Sequence, residues 1–204
     1  MAFLRAPLPE DYMEPIRGRT LVLRPPTMAD YGAWAEVRAL SRESLVPWEP
    51  AWSRDDLSRA MFRRRLRAYA GDVRDDLGYS YFISDLSGDA VMGGITLSNV
   101  RRGTAQMASL GYWMGRPYTG RGSMTEAVLT LLPYAFGTLR LHRIEAAAML
   151  ANLASIRVLE KSGFVREGVA RSYLKINGRW EDHILFACVG MTCGQDSVPG
   201  EVRA

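Results

Sequence analysis

The sequence predicts a mixed α/β (α+β) domain in which helices flank a central, mostly antiparallel sheet. Three strand-like runs, residues 79–84, 91–98 and 107–114, are separated by turn signals and predict an antiparallel meander. Asn177-Gly178 lies between two further strand-like runs and is a strong signal for a β-hairpin. Apolar residues at helical spacing before and after the meander predict helices that cover the sheet.

The elements before the meander begin with a short strand. Residues 21–24 form an apolar run that a Pro-Pro pair ends, and Thr27 with Asp30 has the spacing of a helix capping box. The helix that follows places three large apolar residues on one face: Tyr31, Trp34 and Val37.

A loop is expected at residues 45–50, where prolines flank a tryptophan and a glutamate. Ser53 with Asp56 predicts the start of a second helix, which runs to about Tyr69. This helix contains an arginine cluster at residues 63–67. The cluster is interpreted either as an ordinary solvated helix face or as a surface for a ribosomal or other acidic partner.

The second half of the chain alternates strands and helices. A helix after the meander has five apolar residues on one face: Met124, Val128, Leu131, Leu132 and Ala135. A strand at residues 143–148, a helix at 155–162 and hairpin strands at about 165–176 and 180–189 follow. The predicted order is β-α-α-β-β-β-α-β-α-β-β.

Composition favours one domain over residues 1–204, with a core at about 20–188 and short irregular tails. The chain has 204 residues, is 48% hydrophobic and carries a net charge of +4. It has no apolar stretch near the roughly 18 residues of a membrane span, and its N-terminus lacks the apolar segment of a secretory signal. Two cysteines are too few for a disulfide framework. We therefore expect a cytoplasmic protein with no membrane partner and, without an RNA-binding motif, no direct nucleic-acid partner.

The segment from Leu110 to Thr125 contains a strand, a loop with Gly120 and Gly122, and the start of a helix. The first turn of a helix has unpaired N–H groups and a partial positive charge, so it binds phosphate readily. The glycine spacing is neither that of a dinucleotide-binding loop nor that of a P-loop. This spacing disfavours dinucleotides and nucleoside triphosphates. The alternative interpretation of the segment is an ordinary strand-to-helix turn that uses glycine.

This loop resembles the pyrophosphate loop of the GNAT acetyltransferases, whose pattern is Gln/Arg-x-x-Gly-x-Gly/Ala. Gly122 takes the first glycine position, while Thr119 and Met124 occupy the other two and depart from the pattern. Residues 152–164, which begin with Asn152 and end with Gly163-Phe164, resemble a second element of the same family, whose asparagine contacts the cofactor.

The resemblance implies the GNAT acyl-CoA N-acyltransferase fold, with the sheet splayed between its fourth and fifth strands. It also implies acetyl-CoA as cofactor and no metal. Pantetheine would then lie along the open strand edge, and a freed backbone N–H there would polarise the thioester carbonyl. The cofactor-binding residues expected are Tyr112, Trp113, Met114, Thr119, Gly120, Arg121, Gly122, Ser123, Met124, Thr125 and Asn152.

A closer similarity, from about residue 20 to 188, is to RimJ-type ribosomal-protein-alanine N-acetyltransferases. The residues that carry it are in the segments 45–50, 98–103, 110–112 and 173–183. This resemblance implies that the substrate is a protein N-terminal amine, with a ribosomal protein as one candidate. The protein acceptor itself and the oligomeric state stay open.

The catalytic hydroxyl and the general base are predicted from the residues present. Many GNATs use a tyrosine where this chain has Leu159, so Ser155, one turn earlier, is our candidate acid; an N-cap role is the alternative. Glu49 is the candidate base, with the alternative of a surface loop residue. Other hydroxyls and carboxylates considered are Tyr118, Tyr173, Glu126, Glu167 and Asp182, and His183 is a possible proton relay or a structural histidine.

The acceptor amine is expected to bind beside Trp48, Glu49 and Tyr173. An α-amine, with a pKa near 7.7–8.0, is roughly one-tenth neutral at pH 7, so it needs only a modest base. Two alternatives stay open: acetylation of a small-molecule amine such as an antibiotic or polyamine, and a coenzyme A-binding ribosome-assembly factor with little turnover. The scattered histidines and cysteines predict no metal site.

Overall fold

The main feature of the structure, a computed structural model that describes residues 14–190, is a sheet of eight strands. The strands are β1 (Ile16–Arg17), β2 (Leu21–Arg24), β3 (Tyr79–Asp85), β4 (Val91–Arg101), β5 (Met107–Met114), β6 (Arg143–Met149), β7 (Val165–Ile176) and β8 (Arg179–Val189). Their spatial order is β1-β2-β3-β4-β5-β6-β8-β7. Only β5 and β6 pair in parallel, which confirms the mostly antiparallel sheet.

Helices connect these strands in the predicted order, with one short helix added. The helices are α1 (Tyr31–Leu40), α2 (Arg42–Leu45), α3 (Arg59–Arg74), α4 (Ser123–Pro133) and α5 (Leu153–Lys161). The capping box of Thr27 and Asp30 is present and begins a 3-10 turn that leads directly into α1. The five residues predicted for the apolar face of α4 and the turn after it are all buried.

Both faces of the sheet are covered because side chains alternate along each strand. On β3, Tyr79, Tyr81 and Ile83 belong to the larger core, which also contains the apolar faces of α4 and α5. Phe82, between them, points to the opposite face and joins the smaller core with Trp34 of α1 and other residues of α1 and α3. The sheet is therefore the middle of three layers.

Two sequence predictions in the connection between α1 and β3 are wrong. The expected loop at residues 45–50 begins with the last residue of α2 and a 3-10 turn, Val46–Trp48. The second helix begins at Arg59, and its cap is Ser58, whose side chain accepts a hydrogen bond from the N–H of Met61. The Asp56 carboxylate accepts from the backbone N–H and from the hydroxyl of Ser53, and these bonds close a turn that precedes the helix.

The hairpin and the arginine cluster lie where the sequence places them. Asn177 and Gly178 connect β7 to β8 with φ of 42° and 86°, the pair of positive angles that a tight hairpin turn requires. The arginines at positions 63–65 and 67 are exposed on α3, and the structure does not identify a partner for them.

The expected irregular tails, including Cys193, lie mostly outside the described residues. Within residues 14–190, none of the helices combines the length and the apolar character needed to cross a membrane.

We predict that Gly94→Ala destabilises the protein, because a Cβ on Gly94 would lie 2.4 Å from the indole nitrogen of Trp113. Overpacking of this kind typically costs about 1–3 kcal/mol in the free energy of unfolding, which denaturant titration measures. Gly111→Ala, on the neighbouring strand, is the matched control, since its Cβ would meet no atom within 4 Å. Equal losses in the two variants would contradict this explanation.

Candidate active site

A cleft of about 610 Å³ opens where β5 and β6 separate. The two strands pair only from Met107 to Ser109, although β5 continues to Met114 and β6 to Met149. The cleft is also lined by the loop before α4, by α5, by the segment that contains Trp48, and by the β7–β8 hairpin. This volume lies within the usual range for small-molecule and cofactor sites.

The backbone of β5 offers hydrogen-bonding groups to this cleft. In an antiparallel pair, alternate residues direct their N–H and C=O groups to the partner strand. The backbone N–H of Gly115 donates to the backbone oxygen of Met92 in β4 at 2.8 Å. By this alternation the backbone groups of Trp113 also point to β4, while those of Tyr112 and Met114 point to the open edge. Backbone N–H groups are therefore free of sheet pairing at Tyr112 and Met114 but not at Trp113.

The glycine loop and the start of α4 form one end of the cleft. Gly120 and Gly122 have φ of 76° and 80°, which glycine adopts without strain, and a Cβ on either would meet no atom within 4 Å. Gly122 is the N-cap, and the first-turn residues Ser123, Met124 and Thr125 line the cleft. This end combines open space with the unpaired N–H groups of a helix N-terminus, which is suited to phosphate.

Asn152 and Ser155 lie on the side of the cleft formed by α5. The Asn152 side chain accepts a hydrogen bond from the backbone N–H of Ser155 at 3.1 Å, so Asn152 is the N-cap and Ser155 lies three residues into the helix. The capping alternative for the Ser155 hydroxyl is therefore wrong. That hydroxyl lies 2.8 Å from the hydroxyl of Tyr112, and burial raises the pKa of Tyr112 to about 12.

Glu49 lines the cleft, but its carboxylate is bound by two other side chains. Arg38 donates to both carboxylate oxygens at 2.7 Å, and the indole of Trp52 donates to one of them at 2.8 Å. The Arg38 guanidinium is itself stacked between the rings of Trp52 and Trp113, at 4.2 and 4.8 Å from their centroids. About four lone-pair positions exist on a carboxylate, so three are in use and Glu49 is a poor candidate for a free base.

The other candidate carboxylates are also engaged. Glu126 accepts bonds from the backbone and side chain of Thr20, which hold its pKa below the usual value despite partial burial, and this contact fixes α4 to the start of β2. Glu167 pairs with Arg143, and Asp182 accepts from the N–H of Ser172 at 2.7 Å. None of these three lines the cleft.

The part of the cleft beside the β7–β8 hairpin is mainly apolar. It is lined by Trp48, Leu174 and Ile176, with His183 beside them. Tyr118 lines the cleft from the turn that leads into the glycine loop. His183 is buried, and its Nδ1 lies 2.9 Å from the backbone oxygen of Glu181. A backbone bond, from the N–H of Asn177 to the C=O of Glu49 at 3.0 Å, joins the hairpin to the opposite wall and encloses the apolar part of the cleft.

The structure brings most of the predicted site residues together. Of those expected for cofactor or acceptor, ten line the cleft besides Ser155 and Glu49: Trp48, Tyr112, Met114, Thr119, Gly120, Gly122, Ser123, Met124, Thr125 and Asn152. Trp113, Arg121 and Tyr173 do not. The Trp113 side chain lies on the opposite face of the sheet, in the smaller core. Arg121 is exposed to solvent. Tyr173 lies in a bulge of β7 and packs its ring against His183.

Two basic residues of the cleft were missed by the sequence reasoning. Arg157 and Lys161 lie one turn apart on α5 and both line the cleft. Their i, i+4 spacing after Asn152 was the available signal. They and Glu49 are the only fully charged side chains among the residues that line it, so its free charge is positive. The described residues contain no group of His, Cys, Asp and Glu side chains that could hold a metal ion.

Comparisons with known proteins agree with this geometry. The sequence model of a family described as "Acetyltransferase (GNAT) domain" matches residues 20–165. The chain is 37% identical over 172 residues to Probable N-acetyltransferase YjcK of Bacillus subtilis (strain 168), covering 84% of this chain and 95% of that protein. It is 33% identical over 160 residues to the [Ribosomal protein uS5]-alanine N-acetyltransferase of Escherichia coli (strain K12), covering 78% and 82%.

A solved structure extends the similarity to three dimensions. Mycobacterium smegmatis RimJ in complex with CoA-disulfide superposes with a TM-score of 0.82 at 31% sequence identity. The superposition covers 89% of this chain and 88% of that chain. The splayed sheet with its flanking helices is therefore the fold that the sequence resemblance implied.

We predict that Asn152→Ala lowers the free energy of unfolding by roughly 1 kcal/mol, the usual loss for an N-cap. Ser155→Ala should change it by less, within about 0.5 kcal/mol, because the helix keeps its cap. Denaturant unfolding of both variants measures the difference. A larger loss of unfolding free energy in Ser155→Ala than in Asn152→Ala would indicate that Ser155, and not Asn152, caps the helix.

Proposed function

The chain belongs to the GNAT family of N-acetyltransferases, and on this basis we propose that it acetylates the N-terminal α-amine of a protein that begins with Ala or Ser. A ribosomal protein is the proposed natural acceptor, because the Escherichia coli relative is named for ribosomal protein uS5. The observation that carries the proposal is the acceptor end of the cleft. Its one carboxylate, Glu49, is occupied by Arg38, and the other walls are largely apolar.

This acceptor end suits a neutral amine on a short side chain. A polyamine or a lysine is almost wholly cationic near neutral pH and requires a carboxylate to bind it. An α-amine is about one-tenth neutral at pH 7, and water in the open cleft can take its proton. Glu49 is then a positioning residue for the wall beside Trp48, in place of the base expected from the sequence. The bond from Asn177 to Glu49 limits the space there and favours a small first residue.

The opposite end suits coenzyme A, which a solved relative contains as CoA-disulfide. We propose that the glycine loop and the first turn of α4 bind the pyrophosphate, and that Arg157 and Lys161 add positive charge for the remaining phosphate. Pantetheine would lie along the open edge of β5 and pair with its backbone. The thioester would then lie between Met114 and Ser155.

At the thioester we propose two roles. The backbone N–H of Met114 donates to the carbonyl oxygen, where negative charge develops as the amine attacks. The Ser155 hydroxyl donates to the sulfur, which leaves with an electron pair when the C–S bond breaks. Both groups are held by secondary structure, which keeps them in place before the substrate binds.

We predict that Gly122→Glu abolishes acetyl-CoA binding in calorimetry, because the side chain would occupy the phosphate end and add a negative charge. Gly103→Glu is the matched control. Gly103 also has a positive φ, 67°, and open space around it, but it lies in the β4–β5 turn outside the cleft. The control carries the same backbone strain and should bind normally. Unchanged affinity in Gly122→Glu would exclude the loop as the phosphate site.

We predict that peptides beginning with Ala or Ser are acetylated at the α-amine, while internal lysines are not modified. Mass spectrometry across a panel of first residues, with free spermidine and an N-terminally blocked lysine peptide as controls, measures this selectivity. Faster reaction of spermidine or the lysine peptide than of every Ala or Ser peptide would favour the small-molecule alternative. Tight acetyl-CoA binding with no turnover of any amine would favour the assembly-factor alternative.

A further inference from the structure

The hydroxyl of Tyr112 contacts Ser155 at the wall of the cleft. It lies 2.8 Å from the Ser155 hydroxyl and 3.3 Å from the Ser155 backbone oxygen. Tyr112 is on the part of β5 that has separated from β6, and Ser155 is in the first turn of α5. The two side chains therefore meet across the cleft wall where the thioester is proposed to lie.

Either hydroxyl can donate the hydrogen bond between Tyr112 and Ser155. The backbone N–H of Ser155 is already satisfied by Asn152, so the serine hydroxyl has no capping duty. If Tyr112 donates to the Ser155 hydroxyl oxygen, the shorter of its two contacts, the serine proton is free to point into the cleft. A hydroxyl that accepts a hydrogen bond is also polarised into a better donor. With a pKa of about 12, Tyr112 keeps its own proton at neutral pH.

We propose that Tyr112 is a positioning residue that directs the Ser155 proton to the sulfur of coenzyme A. This inference rests on the acetyl transfer proposed above and adds a residue to it. As the C–S bond breaks, the sulfur takes the electron pair and is stabilised by the Ser155 O–H, which Tyr112 holds in place. The amine proton goes to water, and water returns one to the sulfur, so both hydroxyls end unchanged. Tyr112 thus acts through Ser155 and makes no proton transfer of its own.

A double-mutant cycle in acetyl transfer tests the coupling. Ser155→Ala should lower kcat by about 10²-fold or more, as expected for the loss of a positioned hydrogen-bond donor to developing negative charge, and Tyr112→Phe by about tenfold. The double variant should be no slower than Ser155→Ala, within about twofold, because Tyr112 has nothing left to direct. KM for acetyl-CoA should stay nearly constant. Multiplying losses, or a raised KM with normal kcat, would show that Tyr112 acts independently or only packs against the cofactor.

The control is Tyr31→Phe, which removes a hydroxyl bonded to the backbone oxygen of Leu57 at 3.2 Å in the smaller core, away from the cleft. It should leave kcat unchanged. Thermal melting of each variant separates loss of fold from loss of rate.

A second measurement does not require an acceptor. Coenzyme A labelled with carbon-13 beside the sulfur reports the pH at which its bound thiol ionises. That midpoint should rise by roughly half a unit in Tyr112→Phe and further in Ser155→Ala, because the thiolate loses hydrogen-bond stabilisation. Identical midpoints in the native protein and Tyr112→Phe overturn the proposal. If the midpoints differ and no peptide is acetylated, the acceptor proposal fails while this one stands.

Discussion

The separation of β5 from β6 after Ser109 is the constraint on which the site depends. A continuous ladder would use the backbone groups of Tyr112 and Met114 for sheet pairing and would close the space between the strands. Because the strands part, those groups face a cleft that α4 and α5 reach from the same side. The cost in lost strand pairing is limited, since β5 still pairs with β4 from Met107 to Met114, apart from one irregularity, and the larger core covers both strands.

The acceptor wall depends on a second interaction, the stacked ion pair of Arg38 and Glu49. The guanidinium lies between two indole rings and is almost completely buried, so it requires a carboxylate partner. Glu49 supplies that partner, and its backbone oxygen also holds the hairpin at Asn177. One residue thereby joins α1, the wall beside Trp48 and the β7–β8 hairpin. Its conformation is therefore set by contacts with all three segments, and its carboxylate is not free.

The sequence predicted the sheet and the main helices, and it named most of the residues that line the cleft beside the glycine loop, because local patterns determine them. Strand alternation, the Asn177-Gly178 turn and the glycine loop are signals carried by neighbouring residues. The start of α3 was missed, since Ser53 and Ser58 both have capping chemistry and only packing selects Ser58. The ion pair of Glu49 with Arg38 was not predicted, because Arg38, Trp52 and Trp113 come from separate segments of the chain. No local sequence pattern indicates that these side chains lie together.

Leu159 occupies the position on α5 at which the sequence resemblance led us to expect a catalytic tyrosine. Leu159 is buried in the larger core and also lines the cleft, where it offers no hydroxyl. Ser155 lies one turn earlier on the same face, but its side chain is too short to be held by packing alone. In the proposed arrangement Tyr112 of β5 supplies that support, since its hydroxyl lies 2.8 Å from the Ser155 hydroxyl. The pair therefore places a hydroxyl in the cleft with support from β5, and the helix core keeps its apolar residue.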